Sequence, residues 1–222
     1  MKPLIVALAG LLAAIPAAAQ PAPASAVKLP APRREGGMSL EAALWARQSI
    51  RALSRDSAVA LADAGQLLWA AQGVNRPNGH RTAPSAGATY PLELYLVASR
   101  VRDLAPGVYH YRPATHDLET VATGDRLREL VDAAVHQAWV ADAAGAILFA
   151  AVYQRAQRFA ARADRFVPMD VGFAGQNVYL EAAALGLGTT FAGSVDDTAA
   201  ARVLGLAPEA RPLGIMPFGK PR

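Results

Sequence analysis

Large apolar side chains alternate with other residues over positions 92–99, which predicts a strand with one buried face. Positions 108–112 and 118–122 repeat that spacing on either side of a Pro-Ala-Thr-His-Asp turn and predict a hairpin. Positions 146–152 form an unbroken apolar run, the pattern of a strand buried on both faces. Between these lie helical spacings. Leu40, Ala43, Leu44 and Ile50 recur at helical intervals after Ser39, whose hydroxyl can accept a free amide of the first turn. Leu61, Leu67, Leu68 and Ala71 mark the buried face of a second helix over 57–71, ended by Gly73. Further helices are predicted over 127–140, 155–165, 169–185 and 198–204. The third of these is apolar on most sides and stops at Gly186 and Gly188. Short strands are predicted over 189–192 and 213–218. Helices and strands alternate irregularly, with no internal repeat, so the predicted class is α+β, one sheet covered by helices.

The two ends of the chain read differently from its middle. Residues 1–19 place Lys2 ahead of an apolar run, with Ala17 and Ala19 at A-x-A spacing, the pattern of a secretory signal peptide. The run is too short to span a bilayer, so cleavage and a periplasmic or secreted location without stable membrane insertion are expected. Arg33-Arg34 follows the run instead of preceding it, so the twin-arginine route is not signalled. Residues 20–37 are rich in Pro and Ala and are expected to form an extended linker before a domain over 38–222.

Composition narrows the chemistry. No cysteine is present, which excludes disulfides, thiolate metal sites, iron–sulfur clusters and a cysteine nucleophile. The net charge of +4 and a pI near 9.7 invite a nucleic-acid reading, but the arginines are dispersed and form no dense stripe. A few phosphates on a small ligand suit them as well. His80, His110, His116 and His136 lack metal-ligand spacing. No G-x-S-x-G or phosphate loop occurs. Gly186, Gly188 and Gly193 imitate a dinucleotide fingerprint, but they follow a helix and not a strand.

Three segments carry the remaining signal. Arg47-Gln48-Ser49-Ile50-Arg51 sets two guanidinium groups around a hydroxyl, either a phosphate grip or an exposed helix end. The segment 81–91, with Pro84, Ser85, Ala86 and Gly87, is small enough to approach a flat ring closely or to serve as an ordinary turn before a strand. The segment 185–194 places small residues and free amides at a strand end. Arg155, Arg158, Arg162 and Arg165 recur along one helical stretch, as a solvated basic face or as a lid that attracts acidic substrates. Trp45, Trp69 and Trp139 read as core or subunit-contact residues.

Taken together and in order, Leu67-Leu68-Trp69-Ala70-Ala71-Gln72-Gly73, the 81–91 segment with Leu92-Glu93-Leu94-Tyr95, Gln176-Asn177, the 185–194 segment and Pro217-Phe218-Gly219 resemble the nitroreductase superfamily, and within it the SagB-type dehydrogenases. The resemblance covers the chain from about Ser39 onward. It implies an α/β/α sandwich with a mixed, mainly antiparallel central sheet, a homodimer, and non-covalent FMN at the subunit interface. It further implies that Arg47, Ser49 and Arg51 hold the phosphate and ribityl chain. Pro84, Ser85, Ala86 and Gly87 would pack on the flavin, often from the partner subunit. His136 or Gln137, preferably Gln137, would meet the pyrimidine edge, and a backbone amide from Ala192, Gly193 or Ser194 would lie near N5. A flavin performs its own hydride chemistry, so no catalytic side chain is required. The implied activity is electron transfer through one flavin to or from a small nitroaromatic, quinone or heterocyclic substrate. The alternative is an exported, non-catalytic flavin- or ligand-binding protein on the same scaffold. Many relatives carry a longer tail with a basic pair for the phosphate. Here Lys220 and Arg222 either stand in for that pair or belong to a frayed end, and fraying is the expectation.

Overall fold

The computed structural model describes residues 26–222; the signal-peptide reading of residues 1–19 and the first part of the linker lie outside them. Seven strands form one sheet: β1 (Ala26–Lys28), β3 (Leu92–Ala98), β5 (Gly107–Arg112), β6 (Asp117–Thr123), β7 (Gly145–Val152), β8 (Gly188–Thr189) and β9 (Ala210–Gly219). Their order is β1-β6-β5-β3-β7-β9-β8, and each pairing among them is antiparallel. A parallel pairing joins the separate two-residue strands β2 (Val59–Ala60) and β4 (Val101–Arg102).

The apolar run in β7 earns its central place. Alternate residues serve opposite faces, as the period of a strand requires. Ile147 and Phe149 join the core beneath α2 (Leu61–Gln72) and α4 (Ala163–Ala184). Ala146 and Leu148 join the core beneath α3 (Glu129–Ala133) and α5 (Asp197–Leu204). Helices therefore cover both faces, the α/β/α sandwich expected. The first helix, α1 (Leu40–Ala46), is capped by Ser39, whose Oγ accepts the Ala42 amide at 3.2 Å. It lies against α4 with only Ala43 buried.

Three expectations change. The segment expected as a linker contributes β1, in register with residues 117–119 of β6, and buries Leu29 against Gly65 of α2. Folded structure thus precedes Met38, because an edge strand needs only backbone pairing and one anchor. The helix expected over 127–140 is confined to α3; Val135 and His136 take left-handed φ of 52° and 58°, and a 3₁₀ turn follows over Ala138–Asp142. The arginine-rich stretch is a 3₁₀ segment, Tyr153–Arg162, kinked at Ala160 and leading straight into α4.

Candidate functional site

The Arg47–Arg51 segment leaves α1 in extended form, since Arg47 caps the helix with φ −58° and ψ 123°. Two anchors seat it on the sheet. The Ile50 amide donates to the Thr189 carbonyl at 2.9 Å, and Leu53, fully buried, bridges to Pro221. Gly188 makes the approach possible, because a Cβ there would stand 2.7 Å from Ile50 Cγ2 and 2.8 Å from Leu53 Cδ2.

Tyr179, two and a half turns along α4 from Asp170, ties this segment to the residues just after β8. Its hydroxyl accepts the Phe191 amide at 2.7 Å and lies 3.1 Å from Ser49 Oγ. Its ring lies under the Arg47 guanidinium, 5.4 Å from the centroid. Arg51 stacks over Trp139 at 5.9 Å. Trp139 stands in the 3₁₀ turn next to Gln137, whose Nε2 donates to the Ala134 carbonyl at 2.9 Å. His136 is turned outward, with Nδ1 3.3 Å from Asp132 Oδ1 and 82% of its side chain exposed. Neither Arg47 nor Arg51 pairs with a carboxylate among the described residues.

Ala192 exchanges both backbone hydrogen bonds with Ile215, which leaves the exposed Gly193 and Ser194 amides without an acceptor among the described residues. Thr190 Oγ1 is buried without a partner among the described residues. Between Tyr179 and Pro168 along α4 runs a cavity of about 370 Å³, lined also by Val171, Gly175, Phe191 and Leu213. Phe191 is held there by Gly214 and Gly175, where added Cβ atoms would meet its ring at 2.2 and 3.3 Å.

Pro84, Ser85, Ala86 and Gly87 stand apart from this group. The turn over Ala86–Ala88 packs against α4, and Arg158 donates to the Gly87 carbonyl. Asp170 and Tyr179 are nine residues apart on one helix, about 13 Å along its axis at 1.5 Å per residue. Tyr179 thus brings Arg47 and Ser49 to Phe191 at one end of the α4 cavity, while Arg51 lies over Trp139 in the turn next to Gln137. No hydrogen bond joins the 84–87 segment to them among the described residues.

The terminal residues are not frayed. The Ser54 amide donates to Lys220 O at 2.8 Å, the Arg222 amide donates to Ala52 O at 2.9 Å, and the Arg222 guanidinium reaches Asp142 at 3.3 Å. Two more residues went unread in the sequence. Tyr179 sits at an apolar spacing within a long helix and reads as core. Asp170 breaks that apolar spacing, which is a signal, but one that resembles any solvated helix position.

The donor set suits a phosphate-bearing planar ligand: two guanidinium groups that pair with no carboxylate among the described residues, a hydroxyl, two free amides and an aromatic-floored cavity. That is the donor chemistry FMN requires.

Comparison with known proteins agrees in family and fold. The model of the nitroreductase family matches residues 44–220. A nitroreductase homologue of Methanocaldococcus jannaschii is 38% identical over 184 residues, 82% of this chain and 91% of that one. The crystal structure of a nitroreductase homologue from Ralstonia eutropha is 29% identical, with a TM-score of 0.79 over 92% of this chain and 96% of that chain. The NADPH:FMN oxidoreductase of Vibrio harveyi, solved with NAD+, shares the fold at a TM-score of 0.60 and 19% identity, over 82% of this chain and 68% of that one.

Proposed function

Because the chain belongs to the nitroreductase family, we propose that it is an FMN-dependent oxidoreductase acting on a small nitroaromatic, quinone or heterocyclic substrate, in the manner of the SagB-type branch. When bound, FMN supplies reversible hydride and electron transfer. Arg47, Ser49 and Arg51 hold its phosphate and ribityl chain, with Tyr179 orienting Ser49 and Arg47 from beneath. The Gly193 and Ser194 amides donate to the ring edge, and Gln137 meets the pyrimidine edge with its free carboxamide oxygen. Pro84, Ser85, Ala86 and Gly87 reach the ring from a second copy of the chain. Separation of that segment from the arginine group within one chain supports this assignment.

The homodimer is part of the proposal. Leu40, Leu44 and Trp45 on α1 are 61, 53 and 93% exposed, and Met169 and Phe173 on α4 are each 48% exposed. Apolar groups this large are covered at subunit contacts. With the leader read at residues 1–19, the protein works in the periplasm or outside the cell.

The carrying observation is a pair of guanidinium groups without a carboxylate partner among the described residues, Arg47 over Tyr179 and Arg51 over Trp139, on a segment that Tyr179 ties to Phe191 just ahead of the Gly193 and Ser194 amides. An FMN titration of the purified protein, followed by flavin fluorescence, tests it. Binding at one FMN per subunit is expected, with Kd raised about tenfold or more when R47A and R51A are combined, since each charge-assisted bond is worth about 1.5–3 kcal/mol. Unchanged affinity in the double variant rejects the phosphate grip. No binding by the wild type rejects the flavin reading and favours a non-catalytic scaffold.

A further inference from the structure

The segment 81–90 ends in a run of unusual backbone. Gly87, Ala88 and Tyr90 have left-handed φ of 54°, 53° and 44°. Glycine adopts this readily; alanine and tyrosine do so only when their surroundings hold them. Tyr90 is doubly constrained, because Pro91 follows it and crowds its backbone further. A large side chain in that position serves something that a glycine would not.

That something is closure of the segment. The Tyr90 side chain reaches back to Arg81: its hydroxyl accepts the Arg81 amide at 3.3 Å, and its ring lies under the Arg81 guanidinium, 4.7 Å from the centroid. Arg81 is fixed in turn. It bridges to Val74, and its Nη1 donates at 2.9 Å to Oε1 of Gln72, a residue of α2 that is 1% exposed. The backbone of Tyr90 is committed as well. Its amide donates to Ser85 Oγ at 2.9 Å, and its carbonyl accepts from Arg155 Nη1 at 3.2 Å. Arg155 is itself paired with Glu93, which His110 Nε2 also contacts at 2.6 Å. Between these ties, the Ala88 and Thr89 amides bond back to Ser85 O and Ala86 O at 2.9 and 3.2 Å, a tight turn. One tyrosine thus joins the start, the middle and the end of the segment that carries Pro84, Ser85, Ala86 and Gly87.

We propose that Tyr90 is a positioning residue that locks residues 81–90 into a closed loop, so that the Pro84–Gly87 turn is shaped before a flavin arrives. The consequence rests on the flavin reading above; the lock itself is a property of the chain alone. Pre-shaping a segment removes an ordering cost from binding and so raises affinity.

Tyr90→Leu and Tyr90→Phe separate the lock from ordinary packing. Leucine keeps apolar bulk but offers neither an aromatic face nor a hydroxyl; phenylalanine keeps the face under Arg81. The first readout is amide hydrogen exchange of residues 85–90 in protein without FMN. Exchange about tenfold faster in Y90L and within about threefold of wild type in Y90F is expected. The β7 amides should keep wild-type exchange in both, since release of the left-handed backbone offsets the lost contacts; a merely structural residue would speed the two regions together. The second readout is FMN affinity, expected to fall about tenfold in Y90L and to stay within about threefold in Y90F. Wild-type exchange in folded Y90L overturns the proposal, as does faster exchange with unchanged affinity, or Y90F behaving like Y90L. Should Y90L not fold, Arg81→Met, which takes away the guanidinium and leaves Tyr90 in place, stands against Y90F with the same readouts. Failure of the wild type to bind FMN overturns the flavin reading instead, and the exchange measurement still decides the lock.

Discussion

Replacing Gly188 by alanine adds one methyl group where the Arg47–Arg51 segment crosses β8. The new Cβ would lie 2.7 Å from Ile50 Cγ2, 2.8 Å from Leu53 Cδ2 and 3.1 Å from Ile50 Cβ. Carbon atoms settle at about 3.5–4.0 Å, so both side chains must retreat by about 0.7–1.3 Å. Leu53 has little room to do so. It is fully buried, and its neighbours Ala52 and Ser54 are pinned to Arg222 and Lys220 at 2.9 and 2.8 Å. Ile50 therefore takes most of the movement and carries Ser49 and Arg51 with it. Overpacking of this kind costs about 1–3 kcal/mol. At about 2–4 °C per kcal/mol for a domain of this size, Tm should fall by about 2–12 °C. FMN affinity should fall as well, because the shifted residues are the proposed phosphate grip. Thermal unfolding of the protein without FMN and a fluorescence titration with it measure the two effects separately. Adding Ile50→Ala removes the nearest clash and should recover part of the lost Tm. A G188A protein with wild-type Tm and wild-type affinity would refute the claim that close packing at Gly188 sets the grip.

Tyr179→Phe deletes the hydroxyl shared by Phe191 N and Ser49 Oγ and, with the site half open to water, should cost about 1 kcal/mol, read as a lower Tm together with a weaker FMN titration. Trp45→Glu places a charge on the most exposed large apolar side chain and should shift the protein from dimer to monomer in light scattering after size exclusion. Burial raises the carboxyl pKa of both Asp170 and Glu181. A raised folded-state pKa gives a contribution that is present in acid and lost as pH climbs through it, so the folded state binds the extra proton. The Tm difference between D170N and wild type should therefore grow in favour of D170N from about pH 4 to pH 8, and a pH-independent difference would contradict the assigned shift.

The sheet was legible because its residues obey a local rule. Leu92–Ala98 and Gly145–Val152 carry apolar side chains wherever a strand must bury them. Glu129–Ala133 was over-extended because nothing between Ala134 and Val140 signals a break; tertiary contacts force Val135 and His136 into left-handed backbone without a glycine or proline to announce it. β1 was hidden for the opposite reason, since its three residues owe their strand to pairing with β6 and to the single anchor Leu29. At the site, Arg47, Ser49 and Arg51 were legible as charge and hydroxyl at close spacing. Tyr179 was not, because its hydroxyl acts on the Phe191 amide and on Ser49 Oγ, groups that only folding brings to it.

Both borders of the sheet are blunt. Among the described residues β1 is three residues long and β8 two. A border strand with a long row of free amides can recruit a strand from another molecule and seed fibrils; one this short offers almost no template. Strand addition is thereby disfavoured, which leaves the exposed apolar face of α1 and α4 as the place for the proposed dimer contact. The same economy at the sheet margins that hid β1 from view leaves little border strand for another molecule to extend.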